Sequence, residues 1–430
     1  MKAWARSVAA QAQQLSFLAP NIEATARDVF YVNYIGEYSQ NWDVLYKYYS
    51  ATGIPEHLAL SLDAVSLKFL SHLTFCSEAD GLSRRKYGSA LRMINAELQH
   101  ADSARKASTF EGALLLDLFE KFTKSATEDT IAHYAHVTGA LALIALRGLE
   151  TFKEESELKS LLGLSINATV CCLNGRRKIS EPIRTIRDYA ARCLEVGNLN
   201  WRLGDVLMGI VDLVADIYAN TLPLEEKVAT CTRLDNSLEA ISQEATPEWL
   251  YESVIVPAKH VRGLLPDDAP SLYDRYPSRA VMNTWNILRL LRIILHEELN
   301  SHYPIPSYSP KDPQHPTFIT PTIHQICASV PYMTDCSFAG SHNLAPGSPC
   351  QESDLSSSTQ SHTTKHRLGA YRLILPLYVA AWSRFCPVPT QKWILDQLRH
   401  FAIHFDIPHA NKIRDLLLKA MDTEDAVESW

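Results

Sequence analysis

Residues 283–299 read Asn-Thr-Trp-Asn-Ile-Leu-Arg-Leu-Leu-Arg-Ile-Ile-Leu-His-Glu-Glu-Leu. Ile287, Leu288, Leu290, Leu291, Ile293, Ile294 and Leu295 wrap apolar surface around much more than the ~100° stripe of a surface helix. The segment predicts a central, buried helix. Such a helix needs other helices to cover it, so the fold is decided by whether the rest of the chain supplies them.

Toward the N-terminus it does. Leu58, Leu62, Val65 and Phe69 fall at i, i+4, i+7 and i+11, and Tyr87, Leu91, Ile94 and Leu98 repeat the pattern, each predicting an amphipathic helix with one buried stripe. Similar periodicity predicts helices over 27–39, 109–122, 129–147, 155–173, 181–194, 201–219, 224–240 and 248–260. Strand signals are scarce: Val and Ile rarely alternate with polar residues, and no Asn-Gly or Asp-Gly hairpin turn occurs. The chain reads as all-α.

Toward the C-terminus the composition changes. Nine of the 22 prolines lie between Ser301 and Arg367, and 351–366 is almost wholly Ser, Thr, Gln, His and acidic residues. Such a stretch buries too little to fold alone, and reads as a long loop with a short helix near Pro321–Ser329. Helical pattern returns at 368–385, 390–404 and 408–421. The organisation expected is an N-terminal segment, 1–20, and one large helical domain, 21–425, carrying a loop-rich insertion over 305–367. No repeat of 34 or ~40 residues marks a helical solenoid.

The balance of 41 basic against 48 acidic residues gives a net charge of −7, unlike the basic footprint of a self-sufficient nucleic-acid binder. The nine cysteines are odd in number and irregularly spaced, as in reduced intracellular chains. Met1–Arg6 lacks the apolar core of a cleaved signal, and the longest apolar run, Leu373–Trp382, is about half a membrane span. A soluble intracellular protein is expected.

Several chemical motifs fail. Gly204 and Gly209 have the spacing of a phosphate-cradling loop, but Ile210 and Val211 stand where Lys and Ser or Thr are required. His296-Glu297-Glu298 opens like a zinc-protease helix and ends at Asn300 instead of a second His. Asp267-Asp268 lacks the third carboxylate of a magnesium-binding cyclase motif. His400 and His404, with Asp406 and His409, have the i, i+4 spacing that lets two imidazoles share an ion, but they read first as a solvated helix end; His133 and His136 are a weaker pair. Adjacent Cys171 and Cys172 read as small packing residues. No catalytic residue, metal ligand or cofactor is expected. Two basic runs, Arg84-Arg85-Lys86 and Arg176-Arg177-Lys178, read either as helix ends in solvent or as nuclear-localisation patches.

An ordered set of segments carries the reading further. Asp28–Ile35, Leu58–Leu67, Tyr87–Leu91, Ala113–Phe119 and His136–Leu143 followed by Leu146-Arg147-Gly148 lie in the first half. Trp285–Glu298, Ile326–Tyr332 with its Ala-Ser-Val-Pro, and Leu375–Ala381 follow. In order and spacing this set, over roughly 20–420, resembles the fungal-specific transcription factor domain, the regulatory region that normally follows a six-cysteine binuclear zinc cluster. The chain departs from that family in having no Cys-x2-Cys; its first cysteine is Cys76, so the family's DNA-contacting and metal-binding residues map to no position here.

The resemblance implies a nuclear, non-enzymatic regulator or co-regulator of transcription. It would be pathway-specific, in the manner of regulators of secondary-metabolite gene clusters, and would act through other transcription regulators or a DNA-binding partner, with room for a small effector. A gene model that begins past the zinc cluster is the alternative origin of the departure. The alternative functions are a helical enzyme or binding protein for a hydrophobic metabolite and a non-transcriptional scaffold.

Overall fold

The computed structural model describes residues 21–36, 39–49, 51, 53–74, 76–123, 130–194, 198–256, 264–300, 318–334, 364–405 and 407–422. They are overwhelmingly helical, with one two-stranded sheet. The backbone divides into two compact units, Met1–Asn198 with Val214–Asn220, and Leu199–Leu213 with Thr221–Trp430.

In the first unit, α1 (Ile22–Phe30) starts on Asn21, whose side chain accepts from the Glu23 amide at 2.9 Å. It runs into a π-helical turn, Tyr31–Ile35, and a 3₁₀ helix follows over Gln40–Tyr48. Next come α2 (Glu56–Thr74), α3 (Ser77–Leu98), α4 (Ala101–Ala104), α5 (Ala107–Thr123), α6 (Thr130–Arg147), α7 (Glu155–Asn174) and α8 (Glu181–Cys193).

The expected single stripe on α2 is too narrow. Asp63, Ser66 and Lys68 are buried along with Leu58, Leu62, Val65 and Phe69, because α1, α3 and α5 all pack on this helix. α3 keeps a narrow stripe of Ala79, Ser83, Ala90 and Ile94, while Leu98 reaches solvent. A second core gathers Phe110, Leu114, Ile144, Phe152, Leu158 and Leu161 from α5, α6, the turn after it and α7.

The second unit takes the start of α9 (Leu199–Tyr218), then α10 (Leu224–Gln243), strands β1 (Glu252–Ile255) and β2 (Leu272–Arg275), and α11 (Arg279–Asn300). α12 (Ile319–Ala328), α13 (Val330–Thr334), α14 (Thr364–Trp382), α15 (Val388–His404) and α16 (Pro408–Asp422) complete it. α11 is the central helix its sequence predicts, buried at Leu288, Leu290, Leu291, Ile293 and Leu295, and α10, α12 and α14 pack against it.

Of the helix expected over 248–260, the described part holds a short 3₁₀ turn, Pro247–Trp249, and a strand instead, and 257–260 lie outside the described residues. Glu252-Ser253-Val254-Ile255 pairs antiparallel with Leu272–Arg275 in the register Ser253↔Asp274 and Val254↔Tyr273. Three β-branched residues, Val254, Ile255 and Val256, just before Pro257 favour extended backbone over helix, and the long separation hides the hairpin from a search for two-residue turns. Of the 305–367 insertion, 318–334 and the first residues of α14 are described and mostly helical, so helix extends beyond the short one expected near Pro321–Ser329; the loop expected over 305–317 and 335–363 lies outside the described residues.

Candidate functional site

The two basic runs end up in different settings from those a linear patch suggests. Arg84 pairs with Asp80 at 3.0 Å while its side chain stays 60% exposed, and Arg85 is exposed. Lys86 turns inward to Glu23 at 2.9 Å and Asp63 at 3.2 Å, with only 22% of its side chain exposed. Burial works against its charge, but the Glu23 hydrogen bond and the Asp63 charge outweigh it and hold its pKa above the usual lysine value. In the second run the Arg176 guanidinium lies 4.4 Å from the centre of the Tyr218 ring, Arg177 is exposed, and Lys178 pairs with Asp216 at 2.7 Å. The first run presents its arginines to solvent and turns its lysine inward, whereas in the second Arg177 and Lys178 are both exposed and Arg176 lies against Tyr218.

The densest polar constellation is one the sequence did not single out. Arg289, fully buried on α11, donates to Asp274 Oδ2 at 3.2 Å, Tyr276 Oη at 2.7 Å, Asn286 Oδ1 at 3.0 Å and the Gln325 carbonyl at 3.2 Å. Asp274 also accepts from Ser253 across the hairpin at 2.8 Å, and Asn286 donates to Ser329 Oγ at 2.8 Å. Tyr251 and Tyr276 line the guanidinium, with Tyr251 5.1 Å away. Burial opposes the Arg289 charge, yet Tyr276, Tyr251 and Asp274 together hold its pKa above the ordinary arginine value; burial pushes Tyr276 up.

One turn on, Arg292 forms a fork on Asp235 at 2.7 and 3.0 Å, reaches Glu239, and stacks 3.9 Å from Phe318. Another turn on, Glu297 accepts from Ser383 and pairs with Arg384 at 3.0 Å. Burial raises the Glu297 carboxyl above its ordinary value, with Ser383 and Arg384 opposing.

The first unit has a counterpart. Glu111, buried on α5, accepts from Lys47 and from Tyr48 Oη, each at 2.6 Å. Desolvation raises the pKa of both Glu111 and Tyr48. These groups have the character of a general acid, but they contact protein atoms. A shallow open groove lies elsewhere, along the outer face of α10 at Ala229, Thr232, Arg233, Asn236, Ser237 and Ala240. Polar and charged side chains at i, i+3 and i+4 on one solvated helix do not make a desolvated site for chemistry.

His136 pairs with Glu120 at 2.9 Å, and the His133 side chain and Asp406 lie outside the described residues. His404 is exposed at the end of α15, as in a solvated helix end, whereas His400 is only half-exposed. Their rings stack, with centroids 4.6 Å apart and planes 23° apart, and His400 is half-buried. Burial, with the neighbouring His404, pushes His400 down to about 4. Cys171 and Cys172 are both buried, as packing residues would be. No group of three or more His, Cys, Asp or Glu among the described residues could hold a metal ion, and no described helix is long and apolar enough to cross a membrane. No family model, curated protein or solved structure matches the chain.

Proposed function

We propose that this chain is a transcriptional regulator or co-regulator of fungal type, nuclear and pathway-specific, which acts through protein partners. One observation carries the reading. Trp285–Glu298 and Ile326–Tyr332, two segments on which the resemblance rests, close on each other through Asn286–Ser329 and Arg289–Gln325. Segments some forty residues apart that share one buried network belong to one packed core, which is the arrangement the resemblance leads one to expect of them.

The buried ionisable clusters support a binding body over an enzyme, since their partners are protein groups and the groove on α10 is open to solvent. The net charge of −7 supports action through a partner that reads DNA.

The test is the full chain fused to a foreign DNA-binding domain upstream of a reporter. A reproducible change in reporter output in either direction supports the reading. Output equal to that of the foreign domain alone, with the fusion present in the nucleus, favours a scaffold outside transcription. Selection against a random duplex pool at physiological salt is expected to enrich no sequence; enrichment by the chain alone would overturn the partner-dependent part.

A further inference from the structure

We propose that Ser180 is a phosphorylation site for a protein kinase that selects arginine on the N-terminal side of its target serine. Three serines of the chain follow an arginine by three residues: Ser108 after Arg105, Ser180 after Arg177 and Ser278 after Arg275. Their settings tell them apart. Ser108 is buried in the first turn of α5. Ser278 is exposed, but its hydroxyl accepts from the Val281 amide at 3.2 Å, and Tyr276, two residues before it, is buried against Arg289. Drawing Ser278 into a kinase groove would break into that buried network.

Ser180 stands in the connection between α7 and α8, exposed, with its backbone extended at φ −75° and ψ 153°. Its hydroxyl caps nothing, although it occupies the capping position of α8. A capping hydroxyl accepts from the second or third amide of its helix. Here the second residue is Pro182, which has no amide hydrogen, and the third, Ile183, already donates to the Ser180 carbonyl at 3.1 Å. The hydroxyl is left facing solvent. Ahead of it Arg177 and Lys178 are exposed in the same non-helical stretch, a charge pattern that an acidic kinase groove reads. Only Ile179 between them and the serine is buried, so docking lifts one apolar side chain, a local opening of a connection between two helices. In the transfer the Ser180 Oγ attacks the γ-phosphorus of magnesium-bound ATP, and the bond from that phosphorus to the β–γ bridging oxygen breaks. ADP leaves, and the hydroxyl proton passes to the aspartate of the kinase. The phosphate brings a charge of about −1.5 to −2 and offsets much of the positive charge of Arg176-Arg177-Lys178.

The site is tested on the full chain with magnesium-ATP and an arginine-directed serine kinase whose activity is verified on a standard peptide, with early incorporation mapped by tandem mass spectrometry. Ser180 is expected to carry the first phosphate, and Ser180→Ala to lose most of the early incorporation. Arg177→Ala should slow modification of Ser180 at least about tenfold, through loss of one charge-assisted contact to the kinase. Both variants should keep the wild-type far-ultraviolet spectrum. Ser180 is exposed and makes no cap bond, so its variant keeps the test decisive if Arg177→Ala folds poorly. A first phosphate on Ser108 or Ser278, an unmodified Ser180, or a folded Arg177→Ala modified as fast as wild type overturns the site.

Discussion

Arg84-Arg85-Lys86 on α3 and Arg289 with Arg292 on α11 are both arginine pairs on long helices, and they do opposite things. On α3 the arginines stand adjacent, point into solvent, and interact with little beyond Asp80. On α11 they are spaced three apart within an apolar run, and each is walled in: Arg289 by Asp274, Tyr276 and Asn286, Arg292 by Asp235, Glu239 and Phe318. The contrast teaches that clustering along a sequence marks charge available to partners, whereas an isolated charge in apolar company marks structure. Coulomb attraction is screened at the first site and barely screened at the second.

The sharpest way to break the comparison is Arg289→Met. Asp274, only 3% exposed, would keep Ser253 and Tyr276 but lose its cation, and the expected cost is about 3–5 kcal/mol in denaturant unfolding of the second unit. A loss under about 1 kcal/mol would mean the network is ornamental. Lys86→Ala, at the inward-facing end of the exposed run, should cost about 1 kcal/mol, because its two ion pairs are part-buried. Arg85→Ala should change stability by less than about 0.5 kcal/mol, while Arg84→Ala with Arg85→Ala reduces nuclear accumulation of a fluorescent fusion. Unchanged accumulation would remove this run as an import patch.

A titration extends the same contrast to histidine. His57 on α2 is buried, and burial, opposed by the Glu97 charge and the Ser108 backbone and reinforced by Lys106, lowers its pKa from the ordinary 6.5. The unfolded chain therefore takes up this proton at a pH where the folded chain refuses it. Stability from this group is complete above pH ~6.5 and declines as the pH falls below that value. Denaturation of wild type and His57→Gln at pH 7.5 and 5.5 should show a smaller acid loss in the variant; parallel losses would place the titration elsewhere.

Much of the architecture was readable from periodicity. α11 and the helices that cover it obey spacing rules that need only the apolar positions, and α7, α8, α15 and α16 fall within a few residues of their expected bounds. What periodicity cannot encode is coverage from several sides, so α2 looked like a surface helix although three others bury it. The hairpin stayed hidden because Ser253 and Asp274 meet across an intervening stretch too long for turn chemistry to announce. The buried network was legible only as an oddity, two arginines inside a leucine-isoleucine run, since its partners Asp235, Asp274 and Ser329 come from three separate elements.

α11 also imposes an order in time. Arg289 finds Asp274 fifteen residues back and Arg292 finds Asp235 fifty-seven back, so both partners have been synthesised before the helix itself. Glu297 waits for Ser383, eighty-six residues ahead. A chain leaving the ribosome carries a finished charge network at one end of this helix and an unanswered carboxylate at the other until the whole of α14 and the residue beyond it have emerged. Nascent chains arrested before Ser383 should accordingly hold the Arg289 region against hydrogen exchange while the Glu297 turn exchanges freely, and equal protection at both ends would show that the helix closes in a single step.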